Sequence, residues 1–236
     1  MGRSIRKTLI LLALAAAMIP AARAAEGEFT EIGTYEQLLQ IAADPSGSYR
    51  LTDDIDMAGR AWEPVEFSGV FDGGGHALLN LEIDRVGDGL EDVYDGNYKV
   101  YGARFAGLFS ALKGAEVSDL SLVNVKVKVE TDEPCFIGGI AGYSEDSVIR
   151  SCRVQGRLEL TAHDRMFGVG GIVGYGSGLI RDAQADVTLI CTDTDAETRD
   201  EQFMGGAYAA GYLDLEGCRV TIDGYDSDHG YVHNGA

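Results

Sequence analysis

The sequence is poor in basic residues and in the motifs that mark common catalytic centres. Its 236 residues include 38 Asp and Glu against 19 Lys and Arg, which gives a formal net charge of −19. We therefore expect no nucleic-acid partner and no docking on anionic lipid. Only four histidines occur, and the patterns H-E-x-x-H, G-x-S-x-G and the glycine-rich phosphate and dinucleotide loops are all missing. The sequence thus offers no catalytic or cofactor-binding residues.

Long apolar runs are also scarce, and the main one lies at the N-terminus. Three basic residues precede an apolar run from Leu9 to Ile19, and Ala22-Arg23-Ala24 follows with the small-x-small pattern of a signal-peptidase site. We expect residues 1–24 to be a cleaved signal peptide, with a retained anchor as the alternative. The segment holds four of the 19 basic residues and no acidic one, so 15 basic and 38 acidic residues remain after it. A secreted or cell-surface location follows, without membrane insertion of the mature chain.

The organising feature of the remaining chain is an internal repeat. Glycine-rich segments recur with anchor glycines 32, 32 and 35 residues apart, at Gly107, Gly139, Gly171 and Gly206. A second anchor about a dozen residues later recurs at spacings of 32, 31 and 35, at Leu120, Cys152, Ala183 and Cys218. A looser unit runs from Phe67 to Ile83. A fixed period in this range indicates a solenoid, a propeller or an array.

The pattern inside each unit favours a right-handed parallel β-helix of about five coils. Short alternating runs rich in β-branched residues predict half-buried strands, and glycines separate them at corners. About 32 residues are too few for a propeller blade, and no unit contains an amphipathic helix pattern. We assign the β-helix domain to residues 49–236. The glycine-rich tail DSDHGYVHNGA shows no cap, which leaves open a longer natural chain, a covering partner or fraying of the last rung.

Residues 25–48 are predicted to cap the first coil. Thr34 and Gln37 match a capping box, and Pro45 ends the helix. An apolar stripe between them is expected to cover the open rung, and it consists of Leu38, Leu39, Ile41 and Ala42.

The four cysteines are expected to be buried free thiols. Cys152 and Cys218 share one inward ladder but lie two rungs apart, roughly 9–10 Å, which is too far for a disulfide. Cys135 and Cys191 align with the apolar residues Phe167 and Leu160 of neighbouring units, so they are predicted to face inward too. Their spacing fits no zinc pattern.

The segments between units are predicted to project from one edge as an acidic crest. Its predicted acidic members are Asp88, Glu91, Asp92, Asp95, Glu130, Asp132, Glu133, Asp193, Asp195, Glu197, Asp200, Glu201, Asp226 and Asp228, with Tyr94, Tyr98 and Tyr101 beside them. The crest either keeps the rod soluble or binds cations or a basic partner. The run from Asp193 to Glu197 resembles the start of a calcium loop, although Thr198 stands where such a loop has glycine. The metal ligands, if any, stay unassigned.

The chain as a whole resembles the GLUG-motif family of bacterial secreted and surface proteins. The resemblance rests on YEQLLQIAADPSGSYRLTDDIDMAG, then W-x-P, then FSGVFDGGGHALLNLEI, and on the later segments GLFSAL, IGGIAGYS and VGGIVGYG. Gly107-Leu108-Phe109 ends in Ser110 where the motif has glycine, so the order of the segments is more specific than each motif. The resemblance implies a right-handed β-helix, export and no shared catalytic residues. Such repeats also accompany some immunoglobulin A metalloproteases as non-catalytic regions.

Three functions are therefore considered. The leading one is a non-catalytic secreted or surface β-solenoid that acts as an adhesin, a ligand-binding module or a spacer, with a glycan or a host or surface protein as partner. The alternatives are a polysaccharide-active β-helix enzyme with clustered carboxylates, and an accessory region of a larger secreted protease. The oligomeric state is left open.

Overall fold

The computed structural model describes residues 28–95, 98–162, 166–193, 202–227 and 231–232. The predicted signal peptide, residues 1–24, lies outside the described residues. Among the described residues, no helix is long and apolar enough to cross a membrane.

The described strands form three sheets that wind into a parallel β-solenoid. The first sheet has nine strands: β1 Thr30–Ile32, β2 Ser48–Leu51, β4 Val65–Phe67, β5 Val70–Asp72, β10 Phe109–Lys113, β11 Glu116–Ser118, β14 Ala141–Arg150, β17 Val173–Arg181 and β20 Tyr208–Glu216. The second has seven: β3 Ile55–Asp56, β6 Ala77–Leu79, β7 Glu82–Ile83, β12 Ser121–Thr131, β15 Arg153–Ala162, β18 Gln184–Asp193 and β21 Arg219–Ser227. The third has six: β8 Glu91–Asp95, β9 Tyr98–Ala106, β13 Cys135–Gly138, β16 Phe167–Gly170, β19 Gln202–Gly205 and β22 Tyr231–Val232.

The all-β parallel solenoid is confirmed, but it makes about three turns where five coils were expected. From β10 to β19 the chain visits the first, second and third sheets in regular order, with strands of up to 11 residues. The strands between Ser48 and Ile83 are only two to four residues long and are separated by loops. This N-terminal unit pairs with the solenoid but does not complete regular turns. The number of coils was therefore overestimated from the sequence. The right-handed sense stays a prediction.

Equivalent residues of successive turns are in register. The residues that follow the predicted ladder pair directly across the sheet, in the order Ser121, Arg153, Gln184 and Arg219. Leu120, Cys152 and Ala183 each accept a backbone hydrogen bond of 2.8–2.9 Å from the next turn. The predicted ladder is therefore confirmed, and its first three members are at most 2% exposed.

A single left-handed residue makes the corner before each rung of this ladder. Asp119, Ser151 and Asp182 have φ angles of 51–53°, and Gly217 has 64°. L-residues seldom adopt this backbone conformation, although Asp tolerates it better than most. The corner connects a strand of the first sheet to a strand of the second without an intervening loop. The side chain of the ladder residue that follows the corner therefore points into the lumen.

The lumen is filled by aliphatic side chains and, toward the N-terminal end, by aromatic ones. The rings of Phe67 and Phe109 stack with centroids 4.9 Å apart, and Phe71 meets Phe109 edge-on at 5.8 Å. Trp62 is buried beside them and donates a 2.7 Å hydrogen bond to the carbonyl of Leu108. These contacts attach the irregular N-terminal unit to the regular turns.

The N-terminal cap is shorter than expected. The capping box of Thr34 and Gln37 is confirmed, and it opens a four-residue helix, α1 (Tyr35–Leu38), which continues as a 3-10 turn over Leu39–Ala42. Leu38 and Ile41 are fully buried. Leu39 and Ala42 were expected in the same stripe, but the tighter 3-10 winding turns them to solvent. The segment also contributes β1, which pairs with β2 and was not predicted.

None of the four cysteines forms a disulfide, as expected. Cys135, Cys152 and Cys191 are buried, and burial raises the pKa of the Cys152 thiol to about 12 and that of Cys135 as well. Cys218 is only partly buried because it lies in the last long turn of the described chain. The buried thiols therefore act as small apolar side chains.

Removing one lumen ring tests this packing. We expect Phe109→Ala to lower the free energy of unfolding by about 3–5 kcal/mol, because it opens a cavity beside the rings of Phe67 and Phe71. Urea unfolding followed by circular dichroism measures the change. Tyr212→Ala, at a position 79% exposed, is the control and should cost less than about 0.5 kcal/mol. Equal losses for the two variants would contradict the lumen described here.

Candidate functional site

The candidate site is built on a hairpin that interrupts the solenoid. β8 and β9 form the one antiparallel pair among the described strands, with Glu91 opposite Ala103 and Tyr94 opposite Lys99. The far end of β9 then joins the third sheet, where Phe105 pairs in parallel with Phe136. The hairpin falls in the segment predicted as a side loop, and the structure orders this part of the segment as two strands.

A second apolar cluster, separate from the lumen, lies beneath the hairpin. Its buried members are Val93, Ala103, Phe105, Phe136, Met166 and Tyr175. The Phe136 and Tyr175 rings are 5.2 Å apart, and Tyr143 stacks on Tyr175 at 6.2 Å with planes 9° apart. The cluster joins the outer sides of the first and third sheets, so the hairpin rests on a rigid aromatic base.

Tyr175 fixes the hairpin to this base through its hydroxyl group. The Tyr175 hydroxyl accepts a 2.9 Å hydrogen bond from the backbone N–H of Tyr94 and donates a 2.6 Å bond to the carbonyl of the same residue. Tyr175 lies 81 residues away in sequence, on β17. One side chain thus satisfies both the N–H and the C=O group of Tyr94. These groups lie on the outer edge of β8, which pairs with no further strand among those described.

Gly168 makes room for the aromatic row next to the hairpin. It stands between Phe136 and Phe203 in the third sheet. A Cβ at this position would lie 2.9 Å from the Phe136 ring and 3.0 Å from the Cβ of Phe203. With glycine there, the two rings approach to 6.2 Å across the intervening strand.

A lysine held between two glutamates lies at the base of the hairpin. The Lys113 ammonium group is 2.9 Å from the Glu66 carboxylate and also contacts Glu91 of β8. Burial alone would lower the pKa of Lys113, but its hydrogen bonds to Glu91 and Glu66 outweigh that effect and raise it. Burial also raises the pKa of Tyr143 to about 12, and the carboxylates of Glu145 and Glu91 add to the shift. At neutral pH the lysine is charged and links Glu66 of β4 to Glu91 of β8, and the Tyr143 phenol is neutral.

The outer side of the hairpin exposes a small aromatic surface, which we call the tyrosine platform: Leu90, Tyr94, Lys99 and Tyr101. Leu90, Tyr94 and Tyr101 are 53%, 53% and 71% exposed. The Lys99 ammonium group lies 5.4 Å from the Tyr94 ring centre and 4.6 Å from that of Tyr101.

Asp92 neutralises the charge of the platform. Its carboxylate is 2.8 Å from the Lys99 ammonium group, and this contact lowers the pKa of Asp92 and raises that of Lys99. The platform therefore offers two ring faces and hydrogen-bonding groups without a net charge.

The predicted acidic crest is only partly described, and its described part is largely paired. Glu91 contacts Lys113, Asp92 contacts Lys99, and Glu133 lies 2.8 Å from Arg104. Asp88, Glu130 and Asp132 are exposed. The remaining predicted members lie outside the residues whose side chains are described: Asp95, Asp193, Asp195, Glu197, Asp200, Glu201, Asp226, Asp228 and Tyr98. The run from Asp193 to Glu197 that resembles a calcium loop is among them. Within the described ranges, no group of three His, Cys, Asp or Glu residues is placed to hold a metal ion.

Tyr94 and Tyr101 were predicted from the sequence as members of the exposed edge, but the residues that support the hairpin were not. Tyr143, Tyr175 and Lys113 were not singled out, because each lies in a different repeat. The hairpin itself left a signal, since an Asp-Gly dipeptide at Asp95 separates two runs with alternating apolar residues.

Comparison with known proteins finds little similarity. No protein-family model matches the chain, so the resemblance to GLUG-motif proteins stays a prediction. Halomucin from Haloquadratum walsbyi is 29% identical over a 150-residue alignment that covers 53% of this chain and 2% of halomucin.

Several solved structures resemble the fold, and two of them are described here. A crystal structure described as an immunoglobulin A1 protease from Bacteroides ovatus has a TM-score of 0.43 at 15% identity, over 89% of this chain and 85% of that one. An IgA1 protease structure has a TM-score of 0.48 at 19% identity, over 88% of this chain and 18% of that one. The chain thus spans a small part of halomucin and of the second protease structure. At this level of similarity, neither protease structure bears on the activity of this chain.

The role of Tyr175 can be tested by removing its hydroxyl group. We expect Tyr175→Phe to speed amide hydrogen exchange in residues 91–103 by about fivefold, because two hydrogen bonds to Tyr94 are lost while the ring stays. Exchange in the lumen strands should not change. Tyr143→Phe, which removes a hydroxyl group from the neighbouring ring, is the control and should leave hairpin exchange as in the wild type. A uniform change over the whole chain would contradict a local docking role.

Proposed function

We propose that the chain is a non-catalytic β-solenoid module of a secreted or cell-surface protein and that it binds a neutral glycan through the tyrosine platform. Export is supported by the signal-like residues 1–24. The similarity to a short segment of halomucin is compatible with a module of a much larger protein. An adhesin role would follow from such binding.

The observation that carries the proposal is the exposure of two rigidly held tyrosine rings. Neighbouring apolar side chains that are exposed together often mark an interaction site. The backbone of Tyr94 is fixed by Tyr175, and Lys99 lies against both rings, so little side-chain freedom is lost when a ligand binds. Tyrosine combines a flat apolar face with a hydroxyl group, which suits a ligand that is apolar on one side and rich in hydroxyl groups at its rim. A pyranose ring has this character.

The charge state of the platform favours a neutral ligand. The Lys99 ammonium is already compensated by Asp92 at 2.8 Å. Replacing that partner with a ligand carboxylate would gain little, because the lysine would exchange one anion for another. Ring stacking and hydrogen bonds to Lys99 and Asp92 are therefore the main interactions available.

A glycan array with the full chain tests the proposal. We expect binding to one or more neutral glycans, and a loss of roughly 10–100-fold in affinity for Tyr94→Ala combined with Tyr101→Ala, since each ring supplies about 0.7–1.4 kcal/mol. The combined Tyr94→Phe and Tyr101→Phe variant keeps the rings and should bind within about threefold of the wild type. Leu39→Ala removes an exposed apolar side chain elsewhere and serves as the surface control.

Three outcomes would contradict the proposal. The first is an array without any bound neutral glycan. The second is unchanged binding by the double alanine variant. The third is shortening of a bound glycan during incubation, seen as new reducing ends or unsaturated products, which would favour the polysaccharide-active enzyme.

A further inference from the structure

A cavity lies beside the tyrosine platform, at the end where β8 begins. Its volume of about 490 Å³ is within the range of about 300–1,000 Å³ that is usual for ligand sites. Four parts of the chain enclose it: the end of the N-terminal cap, β4 with the turn before it, the segment that leads into β8, and β10. We call it the hairpin cavity, and its polar lining consists of Glu63, Glu66, Arg85, Asp88 and Ser110.

The hairpin cavity continues directly into the tyrosine platform. Residues 87–89 line the cavity, and Leu90 of the platform follows them in the chain. Side chains alternate along a strand, and here Glu91 contacts Lys113 while Val93 is fully buried. Leu90 and Tyr94 therefore share the outer face of β8. At about 3.3 Å per residue, the cavity is at most about 20 Å from Tyr94.

The two surfaces follow one another along the solenoid axis. The first residue of β8, Glu91, contacts Lys113 on β10, whereas Tyr94 is bonded to Tyr175 on β17. β10 pairs with β14 and β14 with β17, so these supports lie two turns apart. A ligand that covers both the cavity and the tyrosine rings must therefore be elongated along the axis.

One wall of the hairpin cavity holds a buried hydroxyl group that lacks a partner. Ser110 is 3% exposed, and its hydroxyl group makes no hydrogen bond within the part of the chain that the structure describes. Buried polar groups are nearly always hydrogen-bonded. Gly87 lies against this hydroxyl group, since a Cβ on Gly87 would be 2.7 Å from the Ser110 Oγ. With glycine there, no side chain covers the hydroxyl group from that side, and a ligand group in the cavity can bond to it.

The carboxylates of the hairpin cavity can accept further hydrogen bonds although two of them are in ion pairs. Glu63 is 3.3 Å from Arg85, and Glu66 is 2.9 Å from Lys113. An ionised carboxylate has about four acceptor positions, so each pair leaves some of them free. Asp88 is exposed beside them. The cavity thus offers several acceptors to a ligand that is rich in hydroxyl groups.

The rest of the lining and the balance of charge favour a neutral sugar. Pro45, Pro64 and Val86 supply apolar walls, which suit the apolar face of a pyranose ring. Three carboxylates and one guanidinium group line the cavity, in a chain whose formal net charge is −19. A sugar that carries a carboxylate or sulfate group would therefore meet like charges, which is unfavourable.

We propose that the hairpin cavity and the tyrosine platform form one elongated site for a neutral oligosaccharide. One sugar unit occupies the cavity, where Ser110 and the carboxylates bind its hydroxyl groups, and further units stack along the platform. This assignment rests on the proposed function and extends it. The ligand is a chain of several sugar units that lies along the solenoid axis, and a single sugar or a disaccharide fills only part of the site.

Titration calorimetry with neutral oligosaccharides of defined length tests the proposal. The probes are the disaccharide and the hexasaccharide of the cello-, malto- and manno-oligosaccharide series, each with the full chain. We expect at least one hexasaccharide to bind about tenfold or more tightly than its own disaccharide, because only the longer chain reaches both the cavity and the tyrosine rings. Tyr94→Ala with Tyr101→Ala should weaken binding of both lengths.

Ser110→Ala tests the hydroxyl group of the cavity. It should weaken binding of the hexasaccharide by about two- to tenfold, as expected for one lost hydrogen bond, and leave the disaccharide unchanged. Ser118→Ala is the control, because Ser118 is equally buried in the first sheet but does not line the cavity. Thermal melting checks that both variants are folded.

A pair of double variants tests the carboxylates. Glu63→Ala with Asp88→Ala should weaken binding of the hexasaccharide at least about fivefold, because acceptors in the cavity are lost. Glu31→Ala with Asp53→Ala removes the same charge from exposed positions that do not line the cavity, and it should bind within about twofold of the wild type.

Three results would overturn the elongated site while the proposed function stands. These are equal binding of the hexasaccharide and the disaccharide in every series, unchanged hexasaccharide binding by both cavity variants, and losses for the cavity variants that their controls match. Absence of binding to all six probes would also overturn it, and the glycan array then decides whether the proposed function falls too. Binding that the tyrosine double variant leaves unchanged would overturn both.

Discussion

Parallel pairing of each turn with the next is the interaction on which the rest of the structure depends. A single turn has strands on three sides and cannot cover its own apolar side chains. When turns stack in register, each backbone donor and acceptor of a strand finds a partner above or below, and each lumen residue packs on its equivalents. The left-handed corners at Asp119, Ser151 and Asp182 keep this register, because they turn the chain without adding loop residues.

The rigid stack also explains where ligands can bind. Lumen positions are filled, so binding chemistry is confined to the outer faces and to insertions between strands. The β8–β9 hairpin is such an insertion, and the aromatic cluster beneath it turns a loop position into a fixed surface.

The sequence predicts those features that repeat and misses those that do not. The ladder of Leu120, Cys152 and Ala183 could be placed because the same environment recurs every 31 or 32 residues. The number of turns was wrong because the unit from Phe67 to Ile83 shares the residue pattern but not the strand length. Tyr175 could not be linked to Tyr94, since 81 residues separate them and the contact depends on how the hairpin lies over the first sheet. A contact that occurs once, between an inserted hairpin and the strands beneath it, does not recur from repeat to repeat, so the sequence period does not reveal it.

An engineered disulfide tests the register of the stack most directly. Arg157 pairs with Thr188 on adjacent turns, so their Cα atoms should be about 4.8 Å apart, within the range of roughly 4.4–6.8 Å that a disulfide spans. In a Cys218→Ser background, Arg157→Cys with Thr188→Cys should form a disulfide in the folded protein under mild oxidation. Arg157→Cys with Asp186→Cys, displaced by two residues and about 8 Å apart, should not. Peptide mapping by mass spectrometry reads out both. Equal cross-linking of the displaced pair, or none in the aligned pair, would contradict the stacked solenoid.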